Sequence, residues 1–332
     1  MQELAHIPKV PLAQLPTTVE LLTRTSKRLG AEVWVKRDDL TGGAVGGNKA
    51  RKLEYLVAAA RRADADTLIT CGAAQSNHAR ATAAVAATCG FRCRLLLHGD
   101  RAPVASGNLF LDELFGAVID SCTRAEYQDR DAIMRRMADD ERRAGRRPYL
   151  IVEGGSDATG SIGYAAAAFE IAADEQRLGF RFDHIVFATG SGGTLAGLLA
   201  GAELAGLRAK IRAVAVCDDA AYFTAVADRI LGAMRTLFLP NLGAHAGQAA
   251  ILDGFKGLGY GRSTVEELDL WRRMARESGL VLDPVYTLKA WRGLEAQIAT
   301  GAVERGSRVL FLQTAGIAAA LAHADAAPAP CW

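Results

Sequence analysis

Lysine is the only side chain that forms an imine with a carbonyl compound, and Lys49 stands where that chemistry would be useful. It closes the run Thr41-Gly42-Gly43-Ala44-Val45-Gly46-Gly47-Asn48-Lys49, which follows a short aliphatic segment and opens a helical one. The glycines let the backbone pass close to a ligand. A cation is disfavoured at the positive end of a helix, so a lysine at that place calls for a reason beyond solvation. A P-loop is ruled out at two positions, because it needs Gly-Lys-Ser/Thr and here Asn48 precedes the lysine and Ala50 follows it.

A second loop, Thr189-Gly190-Ser191-Gly192-Gly193-Thr194, lies between an aliphatic run and a helix through Leu195, Leu198 and Leu199. Backbone amides at a helix start, with the Ser191 and Thr194 hydroxyls, suit a single phosphate monoester. A dinucleotide fingerprint would want glycine where Leu195 stands, although Asp218 follows the next strand, so an NAD-dependent oxidoreductase is the minor alternative. Ser76-Asn77, after another strand, fits a helix N-cap or an anion clamp, with Gln75 and His78 beside it. Tyr260 and Tyr286 read by themselves as packing residues.

The elements that must position these groups follow an α/β pattern. Short β-branched or aliphatic runs at Val33–Lys36, Thr67–Thr70, Arg94–Leu97, Leu150–Val152, His184–Ala188, Ile211–Val216 and Arg308–Leu312 alternate with long Ala-rich helical stretches, as parallel sheets require. After Lys49 the residues Leu53, Leu56, Val57 and Ala60 make one apolar stripe, which places the lysine at a helix start. The charge-dense stretch Ser121–Arg147, with Arg135, Arg136, Asp139, Asp140, Glu141, Arg142 and Arg143, reads as a solvated surface helix. Low complexity is confined to Ala326–Pro330, expected to fray.

The chain has 332 residues, half of them hydrophobic, enough for one or two domains. Its 39 basic and 37 acidic side chains nearly cancel and no basic run marks a nucleic-acid footprint, so a small-molecule substrate is expected. The six cysteines lack paired metal spacing and read as free thiols in a reducing compartment, with no metal site. No apolar stretch approaches membrane-spanning length and the first residues lack a leader pattern, which predicts a cytoplasmic protein with no membrane partner.

Four segments together resemble one family. Lys36-Arg37-Asp38-Asp39 with Gly46-Gly47-Asn48-Lys49-Ala50-Arg51-Lys52-Leu53-Glu54-Tyr55, then Gln75-Ser76-Asn77-His78, the Gly190–Thr194 loop and Leu282-Asp283-Pro284-Val285-Tyr286-Thr287 keep the order seen in the D-cysteine desulfhydrase and 1-aminocyclopropane-1-carboxylate (ACC) deaminase family. The resemblance implies pyridoxal 5′-phosphate (PLP) as cofactor and fold type II, the tryptophan-synthase β-like architecture. That means two domains, each a mainly parallel sheet flanked by helices. Residues 1–50 and 159–332 would form the large domain and 51–158 the small one, with the cofactor between them and a homodimer as the usual assembly. Lys49 would form the Schiff base and then act as the base at Cα. Lys52 and the Thr189, Gly190, Ser191, Gly192, Gly193 and Thr194 loop would hold the phosphate. Ser76, Asn77, Gln75 and His78 would meet the substrate carboxylate or the cofactor's phenolic oxygen, and Tyr260 and Tyr286 would face the substrate.

Removing the Cα proton and expelling a β-substituent would turn cysteine into pyruvate, sulfide and ammonia. Thr287 bears on the choice of substrate. The residue after the site tyrosine is expected to face the pyridine nitrogen, and ACC deaminases resemble one another in having Glu there. A hydroxyl gives a weaker electron sink, sufficient for β-elimination but not for opening a cyclopropane, so D-cysteine is expected before ACC or L-cysteate. The family's usual Gly and His are replaced by Leu288 and by Gln313, within Gln313-Thr314-Ala315-Gly316. Either change could reshape the wall and favour a specialised substrate. A non-catalytic binding protein with the same fold is the remaining alternative.

Overall fold

A computed structural model describes residues 2–99, 105–314 and 317–323. The two residues Ala315 and Gly316, and the tail from Ala326 to Pro330, lie outside that set.

The strands are β1 (Val19–Leu21), β2 (Glu32–Lys36), β3 (Thr67–Ala73), β4 (Arg92–His98), β5 (Val118–Cys122), β6 (Pro148–Leu150), β7 (His184–Thr189), β8 (Lys210–Ala215), β9 (Ala249–Leu252) and β10 (Arg308–Leu312). The helices are α1 (Thr23–Leu29), α2 (Asn48–Arg62), α3 (Asn77–Cys89), α4 (Gly107–Leu114), α5 (Arg130–Arg143), α6 (Ala158–Leu178), α7 (Gly193–Ala205), α8 (Ala220–Leu237), α9 (Val265–Ser278), α10 (Thr287–Ala299) and α11 (Ile317–Leu321). All seven expected strands are present, within a few residues at their ends. The three short strands β1, β5 and β9 carry no clear period and were not anticipated.

Two sheets result. The larger runs β1-β2-β10-β7-β8-β9 and the smaller β5-β4-β3-β6. Every pairing is parallel except β1 with β2. In register, Leu310 faces Trp34 on one side and Ile185 on the other. The strand β7 is buried along its whole length, as a central parallel strand covered on both faces should be. None of the helices among the described residues is long and apolar enough to cross a membrane.

Helix α2 joins the two sheets. Its stripe Leu53, Leu56, Val57 and Ala60 is wholly buried against α3 and the smaller sheet, and each Leu or Val contributes about 1.5–3 kcal/mol of apolar burial. Its other face is tied to the larger unit by ions. Arg51 clasps Asp38 at 2.7 and 2.9 Å and Glu170 at 2.7 Å, while Tyr164 donates to Asp38 at 2.6 Å. Gly163 on α6 has no Cβ because the Arg51 backbone occupies that space. The Lys36-Arg37-Asp38 segment therefore anchors the helix that starts beside Lys49. Its Asp38 carboxyl is held below its usual value by Arg51 and Lys36 against the opposing effect of burial.

The stretch expected to be a solvated helix does expose Arg135, Arg136, Asp139, Asp140, Arg142 and Arg143, but its bounds and one side chain differ. Only 130–143 is α-helical, and Glu141 is buried there, bonded to Arg94 at 3.3 Å and also to Arg146. A carboxylate between two guanidiniums can be desolvated in a way the charge pattern alone does not reveal.

Candidate active site

The carboxyl ends of β7 and β10 in one sheet and β3 in the other open onto a single cavity, the place where parallel α/β sheets bind ligands. It is lined by Asn48 and Lys49, by Gly72, Ala73, Ser76, Asn77 and His78, by Glu153 and Gly154, by the Ala188–Gly192 turn with Thr194, and by Tyr260, Tyr286 and Thr314.

Lys49 is the second residue of α2, with its Nζ 3.3 Å from the Gly154 carbonyl. Burial brings its ammonium down to about 8, against the pull of Glu153 in the other direction. Lys52, one turn on and fully buried, donates to the same carbonyl at 3.0 Å and to Ser156 Oγ at 3.0 Å. Burial and then Lys49 hold it well below the normal lysine value. Two lysines converge on one carbonyl, and among the described residues no carboxylate is bonded to either, an arrangement that suits an anion.

The second glycine loop supplies the rest. Gly192, at φ 79°, opens α7, and Gly193 N–H donates to Ser156 Oγ at 3.2 Å. Ser156 Oγ also lies 2.8 Å from Ser191 Oγ. A Cβ on Gly193 would stand 2.6 Å from Ser156 Oγ and 2.7 Å from Lys52 Nζ, so only glycine leaves this cradle open. Thr194 Oγ1 accepts from Asn48 Nδ2 at 3.2 Å. Thr189 Oγ1 is buried with no partner among the described residues. Lysines, helix-start amides, hydroxyls and an orphaned hydroxyl fit a phosphorylated, polar ring such as PLP.

Ser76 is the helix N-cap that its place after a strand suggests. Its hydroxyl caps α3, accepting from His78 and Ala79 N–H at 3.2 Å, and it lines the cavity. It sits so close to Gly72 that a Cβ there would be 2.6 Å away. Asn77 Nδ2 donates to Asp283 Oδ2 at 2.8 Å, and its Oδ1 accepts from Asn108 Nδ2 at 3.1 Å. His78 Nε2 lies 2.8 Å from Thr70 Oγ1, which itself donates to Ile151 O at 2.8 Å. That network puts the proton on Nε2 and leaves Nδ1, buried and without a partner among the described residues, as an acceptor. Burial, then Lys49 and Lys52, keep the ring neutral. Gln75 points elsewhere, binding Ser106 O and Asn108 N–H at 3.0 and 2.9 Å outside the cavity lining.

Tyr260 and Tyr286 meet hydroxyl to hydroxyl, their rings edge to face at 5.7 Å. Burial raises both phenols above their usual value, so both stay protonated and can donate. Asp283 sets Tyr286 in place by accepting from the Val285 and Tyr286 amides at 2.6 and 2.8 Å. Thr287 is buried behind it and does not line the cavity. Its Oγ1 accepts from Asp283 N–H at 2.7 Å, and the threonines on the wall are Thr189, Thr194 and Thr314. Leu288 packs wholly in the core behind the larger sheet, and Gln313 is buried with its Nε2 on Val281 O at 2.9 Å. Neither lines the cavity.

Sequence reading gave no role to Ser156, Gly154, Glu153, Asn108, Arg80, Asp283 or Thr314. Asp283 carried a usable signal, since an Asp before Pro whose carboxylate accepts amides two and three residues on is an Asx turn. Asn108 and Arg80 carried none. Arg80 reaches back from α3 to the carbonyls of Ala44 and Gly46 in the first glycine loop, and Asn108 bridges Arg80 to Asn77. Among the described residues no cluster of His, Cys, Asp or Glu could hold a metal ion.

A model of the pyridoxal-phosphate dependent enzyme family matches residues 10–315. A bifunctional D-cysteine desulfhydrase/1-aminocyclopropane-1-carboxylate deaminase of Arabidopsis thaliana, mitochondrial, is 38% identical over 319 residues, covering 92% of this chain and 77% of that protein. A D-cysteine desulfhydrase of Klebsiella pneumoniae is 38% identical over 331 residues, covering 97% and 98%. Among solved structures, an ACC deaminase homologue superposes with a TM-score of 0.89 at 35% identity, covering 98% of this chain and 96% of the other. An O-ureido-L-serine synthase, at 18% identity and a TM-score of 0.63 over 92% and 89%, is alike in fold.

Proposed function

The chain belongs to the pyridoxal-phosphate dependent enzymes, within the group of D-cysteine desulfhydrases and ACC deaminases, and from that premise we propose that it removes sulfide and ammonia from D-cysteine by β-elimination. The balance is D-cysteine plus water giving pyruvate, hydrogen sulfide and ammonia. The observation that carries the reading is Lys49, an amine brought down to about 8 in a cavity that also presents the start of α3 and a pair of phenols.

When bound between residues 1–50 with 159–332 and residues 51–158, PLP supplies the electron withdrawal that loosens first the Cα–H bond and then the Cβ–S bond. The phosphate falls to Lys52, Ser156, Ser191, Thr194 and the amides of Gly192 and Gly193. Ser76 and Asn77, at the positive end of α3, take the substrate carboxylate. Lys49 Nζ, neutral in a substantial fraction near pH 8, accepts the Cα proton. Of the protonated Tyr260 and Tyr286 pair, the phenol that accepts in their mutual bond donates its own proton to the departing sulfur, which lowers the charge it must carry.

D-Cysteine comes before ACC because of what the wall lacks. Among the described lining residues the one carboxylate is Glu153, and it is committed to Tyr127 at 2.9 Å and Arg130 at 3.2 Å. At position 287 the hydroxyl is taken by Asp283. No acid among the described lining residues is free to hold a pyridine nitrogen protonated, which leaves a weaker sink that suits a thiolate leaving group better than a strained carbon ring. The test is keto-acid release by the PLP-saturated protein from D-cysteine, L-cysteine, β-chloro-D-alanine, L-cysteate and ACC. Pyruvate from D-cysteine is expected; 2-oxobutanoate from ACC at a comparable rate would overturn the choice.

A further inference from the structure

Lys289 sits one turn into α10, wholly buried, and its ammonium is the closing element of a loop that begins more than thirty residues earlier in the chain. Nζ lies 2.7 Å from the Lys256 carbonyl and 2.5 Å from the Gly259 carbonyl. Among the described residues no acid is paired with it. Glu267, the buried carboxylate of that neighbourhood, is bonded instead to Arg292 at 3.0 Å and to Thr264 N–H at 2.9 Å. A lysine this deep without a carboxylate is costly, and two carbonyl dipoles are what offset it.

The loop it closes has little shape of its own. Gly257, Gly259 and Gly261 all have positive φ, at 57°, 107° and 70°. A glycine-rich segment of that kind loses much entropy on ordering and needs outside contacts to settle in one form. Its internal bonds are Gly259 N–H to Lys256 O at 3.0 Å and Arg262 N–H to Gly259 O at 3.3 Å. Those are the two carbonyls that Lys289 also holds. Tyr260 follows Gly259 directly in the chain, and its hydroxyl meets that of Tyr286, the N-cap residue of α10, three positions before Lys289.

We propose that Lys289 is a positioning residue: its ammonium, a tethered cation in a cage of backbone carbonyls, sets the 256–261 turn and so brings the Tyr260 hydroxyl against Tyr286. The inference rests on the proposed β-elimination for its effect on rate, but its structural half stands apart from it. A small cation should replace the side chain, because the cage recognises charge and size rather than the lysine stem.

The experiment compares PLP-loaded wild type with Lys289→Met and Lys289→Ala, reading hydrogen exchange over residues 254–262 by mass spectrometry together with kcat and KM for D-cysteine. Exchange should rise in that segment in both variants, and kcat should fall by on the order of 100-fold, as misplacement of a reacting group does, with KM little changed. Ammonium or methylammonium chloride, against sodium chloride at equal ionic strength, should restore protection and part of kcat in Lys289→Ala. If the methionine variant does not fold, Lys289→Gln, of similar length and uncharged, is read the same way. Wild-type exchange and kcat in the variant that folds would overturn the proposal, as would a rate loss with unchanged exchange or with no response to ammonium. Wild type inactive on D-cysteine, with exchange still rising and still reversed by ammonium, would sink the substrate reading and leave the Lys289 assignment standing.

Discussion

Lys49 and Lys52 aim their ammonium groups at one acceptor, the Gly154 carbonyl oxygen, at 3.3 and 3.0 Å. One turn of α2 separates them, so the helix itself enforces the proximity of two like charges. The pair explains why Lys52 is pushed well below the ordinary lysine value by burial and by Lys49. It also divides the work, with Lys52 turned to Ser156 and the phosphate loop and Lys49 toward the cavity.

If Lys52 holds the phosphate, Lys52→Gln should weaken PLP binding by about 2 kcal/mol, roughly 30-fold, the worth of one charge-assisted hydrogen bond. Binding of unphosphorylated pyridoxal should hardly change. Fluorescence titration of the cofactor-free protein with both ligands reads the difference, and equal losses for the two would move Lys52 away from the phosphate.

Lys49→Ala should fold normally, as judged by thermal melting, yet show neither the violet absorption of lysine-bound PLP nor turnover of any substrate. A variant that keeps either one removes Lys49 from the centre of the mechanism.

The lowered Lys49 value has a consequence for stability. Between about pH 8 and its unfolded value of 10.5, the unfolded chain binds more protons than the folded one, so stability should rise with pH through that window. Below about pH 8 the full cost of the buried charge is present. In Lys49→Met, urea unfolding of the cofactor-free protein should show a flatter pH dependence over the same window than wild type; parallel curves would contradict the assignment.

Tyr286→Phe should retain the violet band and lose on the order of 100-fold in kcat on D-cysteine, within the range for a lost general acid. β-Chloro-D-alanine, whose chloride leaves without protonation, should be affected much less. Equal losses on both substrates would reduce the tyrosine to packing.

Asp38→Ala removes the carboxylate that Arg51, Thr17 and Tyr164 all bind. Leaving the Arg51 charge short of its buried partner should cost about 3–5 kcal/mol, measurable by urea unfolding. A loss under 1 kcal/mol, on the order of a surface ion pair, would show that the network does not anchor α2.

The sequence by itself determined a good deal. Short β-branched or aliphatic runs located seven strands and the 3.6-residue period located the α2 stripe, because fully buried parallel strands and amphipathic helices write their burial into residue order. Gly-rich turns before helices marked both loops that line the cavity, since only glycine tolerates the positive φ at Gly47 and Gly192. The Thr41–Lys49 glycine loop and the Gly46–Tyr55 motif were enough to suggest an imine-forming lysine. It did not reveal that Glu141, in a run of charge, is buried, nor that β1, β5 and β9 exist, because three-residue to five-residue strands are fixed by their neighbours in the sheet.

What only the tertiary structure decided is which side chains share a space. Ser156, Asp283, Asn108 and Arg80 look like loop or helix residues in sequence. They become partners of Lys52, Asn77 and the first glycine loop because the two sheets turn their carboxyl ends toward one cavity. Thr287, Leu288 and Gln313 show the converse. Each neighbours a site residue in the chain, but α10 and β10 direct them into hydrogen bonds or core behind the wall, while Tyr286 and Thr314 face inward. Adjacent residues differ by about 100° around a helix and point to opposite faces of a strand, so sequence proximity to a site says little about facing it.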